Sequence, residues 1–151
     1  MKLRLLQLTQ LMKTATTKTS KPVACFCIKV NPVPASRPRV RRWGGAYYGK
    51  KYTAWREEAA AFLEENFQPK LRPQRPYFVI IDHYVRRPRT STAILPVGDI
   101  DNYDKAALDA IVKAELMVDD RWISKKSSNL EFARNEDEVG TYIKYFEDER
   151  Y

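Results

Sequence analysis

The chain has 151 residues, enough for one domain with its own core, and its 44% hydrophobic and 12% aromatic content excludes disorder throughout. Its net charge of +8 is segregated: 13 Lys and Arg precede the first acid, Glu57, whereas the 14 that follow are outnumbered by 19 acids. That asymmetry points to a polyanionic partner, nucleic acid or an anionic membrane surface, and no run approaches the ~20 apolar residues of a membrane span.

Residues 1–21, MKLRLLQLTQLMKTATTKTSK, are basic and acid-free, and Gln7, Thr9 and Gln10 interrupt any signal-peptide apolar centre. They are set aside as a flexible N-terminal extension, with 22–151 as the folded domain. Val23 to Val30 is β-rich and reads as the first strand. Within it Cys25 and Cys27 alternate onto one face and are expected to be reduced core thiols of a cytoplasmic protein, not a disulfide. The following stretch, NPVPASRPRVRRWGGAYYGKK, is a basic loop, with a short hairpin around Gly44 and Gly45 as one reading. Thr53 is the expected cap of the helix TAWREEAAAFLEENF, whose Trp55, Ala59, Phe62 and Phe67 form a core stripe. Tyr77 to Val85 reads as the second strand; it holds the only histidine, His83, taken as a strand residue and not a ligand. After the connector RRPRTSTAILPVG, a helix is expected from about Asn102 to Leu116, with Ala107, Ala110 and Ile111 inward. MVDDRWI then turns into a strand, and SNLEFAR and VGTYIKYF alternate as two strands around the acidic turn NEDE. The order β-α-β-α-β-β predicts one α+β domain, a mixed β-sheet with about two helices packed on it.

The chemistry concentrates in GDIDNYDKAALDAI, residues 98–111. Asp99 and Asp101 flank the start of the second helix, where one of them can serve as its N-cap. Lys105 and Asp109 follow at helical spacing, the pattern of a surface ion pair. Asp119 and Asp120 occupy the turn beyond the helix, where Asp is common. Each feature has an ordinary structural explanation. Together they propose a metal site, if the return strand brings one turn carboxylate back toward Asp99 and Asp101. Oxygen ligands without His or Cys suit Mg²⁺ or Mn²⁺ rather than zinc, and Lys105 could steady a phosphate or the attacking water. Such a site hydrolyses phosphodiesters. No GxxxxGK loop is present to suggest NTP hydrolysis.

The stretch GDIDNYDKAALDAI…LMVDDRW resembles the RusA family of Holliday junction resolvases of bacteria and their phages. Asp99, Asp101 and Asn102 match the opening of its pattern, Lys105 its basic residue, Asp109-Ala110 its helix signature and Val118-Asp119-Asp120 its turn. The early Pro32, Pro34, Arg37, Pro38 and Arg39 are similar to a segment many phage members carry. The resemblance implies that Asp99, Asp101 and Asp120 hold Mg²⁺ (Mn²⁺ possible) and that Lys105 joins them in catalysis; Asp119 and Asp109 are second choices, as supporting residues around the site or in helix pairing. It further implies a homodimer that nicks two strands of a four-way junction in recombination and repair, in the cytoplasm of a bacterial or phage-infected cell. The connector TSTAILPV is longer and more apolar than the basic run the resemblance implies.

For substrate grip, Arg37, Arg39, Arg41, Arg42, Lys50 and Lys51 interleave with Trp43, Tyr47 and Tyr48, and Arg86 and Arg87 (with Arg89) form a second basic patch. Cations meet phosphates and aromatics stack on unpaired bases. The alternatives are a nuclease of this fold acting on other branched DNA or on RNA, and a basic DNA-binding protein without catalysis. An anionic membrane bound through residues 1–21 is the remaining rival, and the reading adopted has no membrane partner.

Overall fold

The computed structural model describes residues 21–69 and 71–151, so the N-terminal extension, apart from Lys21, lies outside the described residues. In chain order the elements are β1 (Ala24–Ile28), β2 (Arg39–Val40), β3 (Ala46–Tyr47), α1 (Lys50–Asn66), β4 (Tyr77–Val85), α2 (Ile100–Lys113), β5 (Ile123–Phe132) and β6 (Gly140–Glu147). One-turn 3-10 helices at Asp120–Trp122 and Glu136–Glu138 precede the last two strands.

The main sheet has the order β1-β6-β4-β5. β6 is antiparallel to both its neighbours, and β5 runs parallel to β4. A parallel neighbour cannot be reached by a tight turn, so α2 is the crossover that carries the chain from β4 to β5. The sheet is therefore mixed and the domain α+β, in the predicted order with a small β2–β3 hairpin added.

Strand alternation sets the core. Ala24, Phe26 and Ile28 of β1, Val79 and Ile81 of β4, and Ile143 and Tyr145 of β6 are all buried. Tyr52, Trp55, Ala59, Ala60 and Leu63 of α1 join Ala106, Ala107, Ala110 and Ile111 of α2 in the same cluster. Alanine dominates the inward arc of α2, and such small side chains let a helix lie close to its neighbours. Phe62 and Phe67, expected in the stripe of α1, are half-buried at its edge.

Three local expectations are corrected. Cys25 and Cys27 do share a face, but it is the face opposite Ala24, Phe26 and Ile28: Cys25 is exposed and Cys27 half-buried, so neither is a core thiol. Helix α1 starts three residues before Thr53, capped at Gly49, because the Gly49 amide donates to Ser36 Oγ (3.1 Å) and its carbonyl accepts from Thr53 N (3.0 Å). Helix α2 starts at Ile100 and ends at Lys113. At Glu115, φ is +60°, so the chain leaves helical geometry before Leu116.

Glycine is required by geometry at two places. In the hairpin Arg41 N donates to Gly45 O (2.9 Å) and Gly44 N to Arg41 O (3.1 Å), with both glycines at positive φ. At the start of β6, Gly140 has φ +145°, and a Cβ there would lie 2.6 Å from the Ile28 carbonyl oxygen.

Candidate functional site

Helix α2 opens beside the loop after β1, to which it is tied by Ala35 N donating to Asn102 O (2.9 Å). Asp99 occupies the N-cap position with extended backbone, yet its side chain makes no capping hydrogen bond. The carbonyl of Asp99 accepts from Asn102 N (3.0 Å) and Tyr103 N (3.3 Å), so the backbone closes the first turn. The carboxylate of Asp99 is thus not spent on the cap that its position suggests. Asp101 lies in the first turn with its side chain 85% exposed, where the positive end of the helix dipole favours negative charge.

Lys126 of β5 reaches this mouth. Its Nζ stands 3.5 Å from Asp101 Oδ1 and 3.0 Å from Asp104 Oδ2. Asp104 is buried and fully engaged: Ser128 Oγ donates to Oδ2 (2.7 Å), and Oδ1 meets His83 Nε2 (2.7 Å). His83 Nδ1 lies 3.1 Å from Thr141 Oγ1. A proton on Nε2 satisfies the ring on both sides, Nδ1 then accepting from the threonine hydroxyl. Burial pushes the Asp104 carboxyl up, but the bonds from His83, Ser128 and Lys126 outweigh it and leave it below the usual carboxylate range. A chain of polar contacts thus runs from β6 through β4 and α2 to β5 and ends at Asp101.

The turn after α2 separates its two aspartates. Asp119 caps the 3-10 turn, accepting from Arg121 N (3.0 Å), and that bond, with one from Asp120, holds its carboxyl low. Asp120 faces a shallow, open groove of 280 Å³ lined also by Leu108, Ile123, Ser124, Lys125 and Lys126. Its carboxyl is pushed up by partial burial, then by the hydrogen bond and charge of Asp119 and the charge of Asp109, while Lys105 pulls it down. Asp109 accepts from Tyr52 Oη (2.7 Å), a bond that joins α2 to α1. Burial first and Asp109 second raise the Tyr52 hydroxyl well above its ordinary value.

The return strand runs beside α2 and brings Lys126 and Ser128 onto Asp101 and Asp104, while Asp120 feels the charges of Asp109 and Lys105. Among the described residues no three His, Cys, Asp or Glu side chains gather closely enough to hold a metal by themselves. Asp99, Asp101 and Asp120 belong to one acidic strip, with the charge of Lys105 acting on Asp120 and Lys126 both lining the groove and touching Asp101.

A family model described as endodeoxyribonuclease RusA matches residues 29–144, most of the chain. The chain belongs to the RusA family. A search of the curated proteins finds no match. The matched span contains the acidic strip, both lysines and the buried polar chain beneath them, and membership makes the domain that of a DNA endonuclease.

In this RusA-family domain the basic residues fall into two groups. Arg37, Arg39, Arg41 and Arg42 are exposed on and before the β2–β3 hairpin, whose tip carries Trp43 at 93% exposure. Arg41 stacks over Tyr47, its guanidinium 5.4 Å from the ring centre. Lys50 and Lys51 are exposed in the first turn of α1, which holds no acid; cations at that end oppose the helix dipole and leave it open to an anion. By contrast Arg86 is bonded to Glu136. Arg87 lies 4.1 Å over the Phe132 ring and donates to Ala93 O (2.8 Å). Arg86 and Arg87 of the second patch are thus engaged within the protein.

Sequence reasoning did not find Asp104, Lys126, Ser128 or Thr141. A signal for the first was present: Asp104 falls on the inward arc of α2, three residues before Ala107 and seven before Ile111. A buried carboxylate needs a donor, and His83 lies on the core-facing alternation of β4 with Val79 and Ile81. Lys126 had no comparable signal, since its role depends on which side of α2 the return strand takes.

Proposed function

We propose that this protein is a Mg²⁺-dependent, structure-selective endonuclease that resolves four-way DNA junctions in recombination and repair. The observation that carries the reading is the acidic strip of Asp99, Asp101 and Asp120 faced by Lys105 and Lys126 in a chain of the RusA family. The donor chemistry fits a hard divalent cation. All the candidate ligands are carboxylates, and crowding of Asp120 by Asp119 and Asp109 is the condition that a bound cation relieves. Mg²⁺ commonly takes one or two carboxylates and completes its shell with water and substrate phosphate, so a closed protein cage is not required. Asp99, Asp101 and Asp120 are the residues that would hold it, with Mn²⁺ as a substitute. When bound, the ion supplies Lewis-acid stabilisation of the phosphoryl oxygens and a lowered pKa for water.

The protein's own residues do the rest. Lys105 binds the scissile phosphate and offsets charge that builds on it. Lys126 keeps Asp101 oriented, and is itself fixed by Asp104. Arg37, Arg39, Arg41, Arg42, Lys50 and Lys51 grip the phosphate backbone, while Trp43 offers a stacking face for an unpaired base. Two such domains related by a two-fold axis match the approximate two-fold symmetry of a junction, so the working unit is a homodimer, acting in the cytoplasm.

The experiment is incision of a mobile four-way junction with and without Mg²⁺, mapped on every strand, beside linear duplex, flap and RNA substrates. Paired, metal-dependent cuts on the junction are expected. Asp101→Asn and Asp120→Asn are expected to keep junction binding and lose at least about 100-fold in cleavage rate. Equal cutting of flaps or RNA would shift the substrate, and wild-type binding without any incision would leave only a DNA-binding protein.

A further inference from the structure

We propose that the loop at residues 94–97, which leads into Asp99, is an apolar wedge that enters the branch point of the DNA and presses on the faces of its terminal base pairs. This rests on the junction-nuclease reading given above and adds to it the element that recognises the branch.

Ile94, Leu95 and Val97 are 89%, 57% and 87% exposed. Three large apolar side chains pointing into water within four residues is costly unless a partner covers them. The backbone that presents them is held from both sides. Upstream, Arg87 donates to Ala93 O (2.8 Å) while its guanidinium rests on Phe132. Downstream, Tyr103 Oη donates to Val97 O (2.6 Å), and Pro96 between them is buried. Gly98 then takes φ +109°, seated so closely that a Cβ would lie 3.2 Å from Pro34 Cγ and 3.3 Å from Tyr103 Cε2. The inward-facing parts of the loop are thus packed and bonded, and the outward-facing parts are aliphatic.

The position of the loop selects its occupant. Val97 is two residues from Asp99, so whatever covers the loop lies against the same DNA that brings its phosphate to the acidic strip. The outside of a continuous duplex offers charged backbone and largely polar groove edges, where only the scattered thymine methyls match aliphatic side chains. Base-pair faces do match, and they become accessible where stacking is interrupted. Apolar wedges of Leu, Ile or Pro are the side chains that unstack a step and hold it open. A branch point has stacking already interrupted, so insertion there costs less than in an intact duplex. The wedge therefore discriminates by structure and not by sequence, and it fixes the branch at a set distance from the cut.

The test uses the full chain without divalent metal, a four-way junction carrying a fluorescent purine analogue at the branch, and a second junction carrying it within an arm. Wild-type binding is expected to raise the branch signal severalfold and leave the arm signal unchanged. The triple variant Ile94→Ser, Leu95→Ser, Val97→Ser replaces exposed side chains only, and its circular dichroism melt is expected to match wild type. It should lose the branch signal and bind the junction roughly tenfold more weakly, about 1.4 kcal/mol, with its affinity for linear duplex unchanged. A retained branch signal, or equal weakening on junction and duplex, overturns the wedge. So does a change of oligomeric state in sedimentation, which would make the loop a self-association surface. If wild type shows no preference for junction over duplex, the underlying reading fails; if it shows one and the variant shares it with full branch signal, only the wedge fails.

Discussion

Asp104 is the residue on which the site's order depends. It is 1% exposed and receives bonds from β4, β5 and Lys126 at once. Removing one partner of a buried charged network leaves the others unpaired, so Asp104→Ala is expected to cost about 3–5 kcal/mol in urea unfolding at pH 7. The pH dependence follows from the sign of its shift. Its carboxyl sits below the usual range in the folded protein despite burial, because of the bonds from His83, Ser128 and Lys126. A depressed folded value stabilises the fold above the unfolded value, about pH 4, and that stabilisation is lost as pH falls below it. The gap between wild type and Asp104→Ala should therefore be full at pH 7 and shrink progressively below about pH 4; a gap that is constant with pH would mean that folding does not lower the pKa of this carboxyl. At this scale the sequence exposed the residues in the Asp-x-Asp-Asn motif and the turn, because their spacing is local. It did not show that Asp120 shares a groove with Lys126, since a one-dimensional pattern does not say how far a return strand slides along a helix.

Among the elements, β6 carries the tightest constraint. Gly140 lets its backbone come against Ile28 at the start of the β1 pairing, where a side chain would meet a carbonyl oxygen at 2.6 Å. Gly140→Ala is expected to destabilise the protein by about 2–3 kcal/mol, from backbone strain and displacement of β1, visible as a lower melting temperature with the fold retained. Element by element, legibility tracked burial. β4 reads directly from its apolar run and its bounds agree with the expected Tyr77–Val85. β5 begins five residues before SNLEFAR because its first half, ISKKSS, is a polar edge whose helix-side positions, Lys126 and Ser128, serve Asp104 instead of a core. Period-two hydrophobicity vanishes where a strand lines a polar site. The cap of α1 was misplaced for a related reason: Gly49 is fixed by Ser36, a long-range partner, and Thr53 only looked like a local one.

Across the whole molecule, charge is divided between a cationic end around the β2–β3 hairpin and an acidic strip at α2. If the six cations Arg37, Arg39, Arg41, Arg42, Lys50 and Lys51 each meet a phosphate, the logarithm of binding constant against the logarithm of salt should fall with slope roughly −5. Replacing Arg41 and Arg42 by Gln should make the slope shallower by about 2 units on junction and duplex alike, and an unchanged slope would remove the hairpin from the interface. The class of the fold and its order of elements were readable from alternating patterns; the sheet order was not, because β6 inserts between β1 and β4 and that choice is made by tertiary packing. This insertion has its own consequence. Until β6 is synthesised, β1 and β4 have nothing between them, and His83 lacks Thr141. A partly translated chain therefore holds its acidic motif without the brace behind it, and the last strand to be made is the one that completes the polar chain beneath that motif.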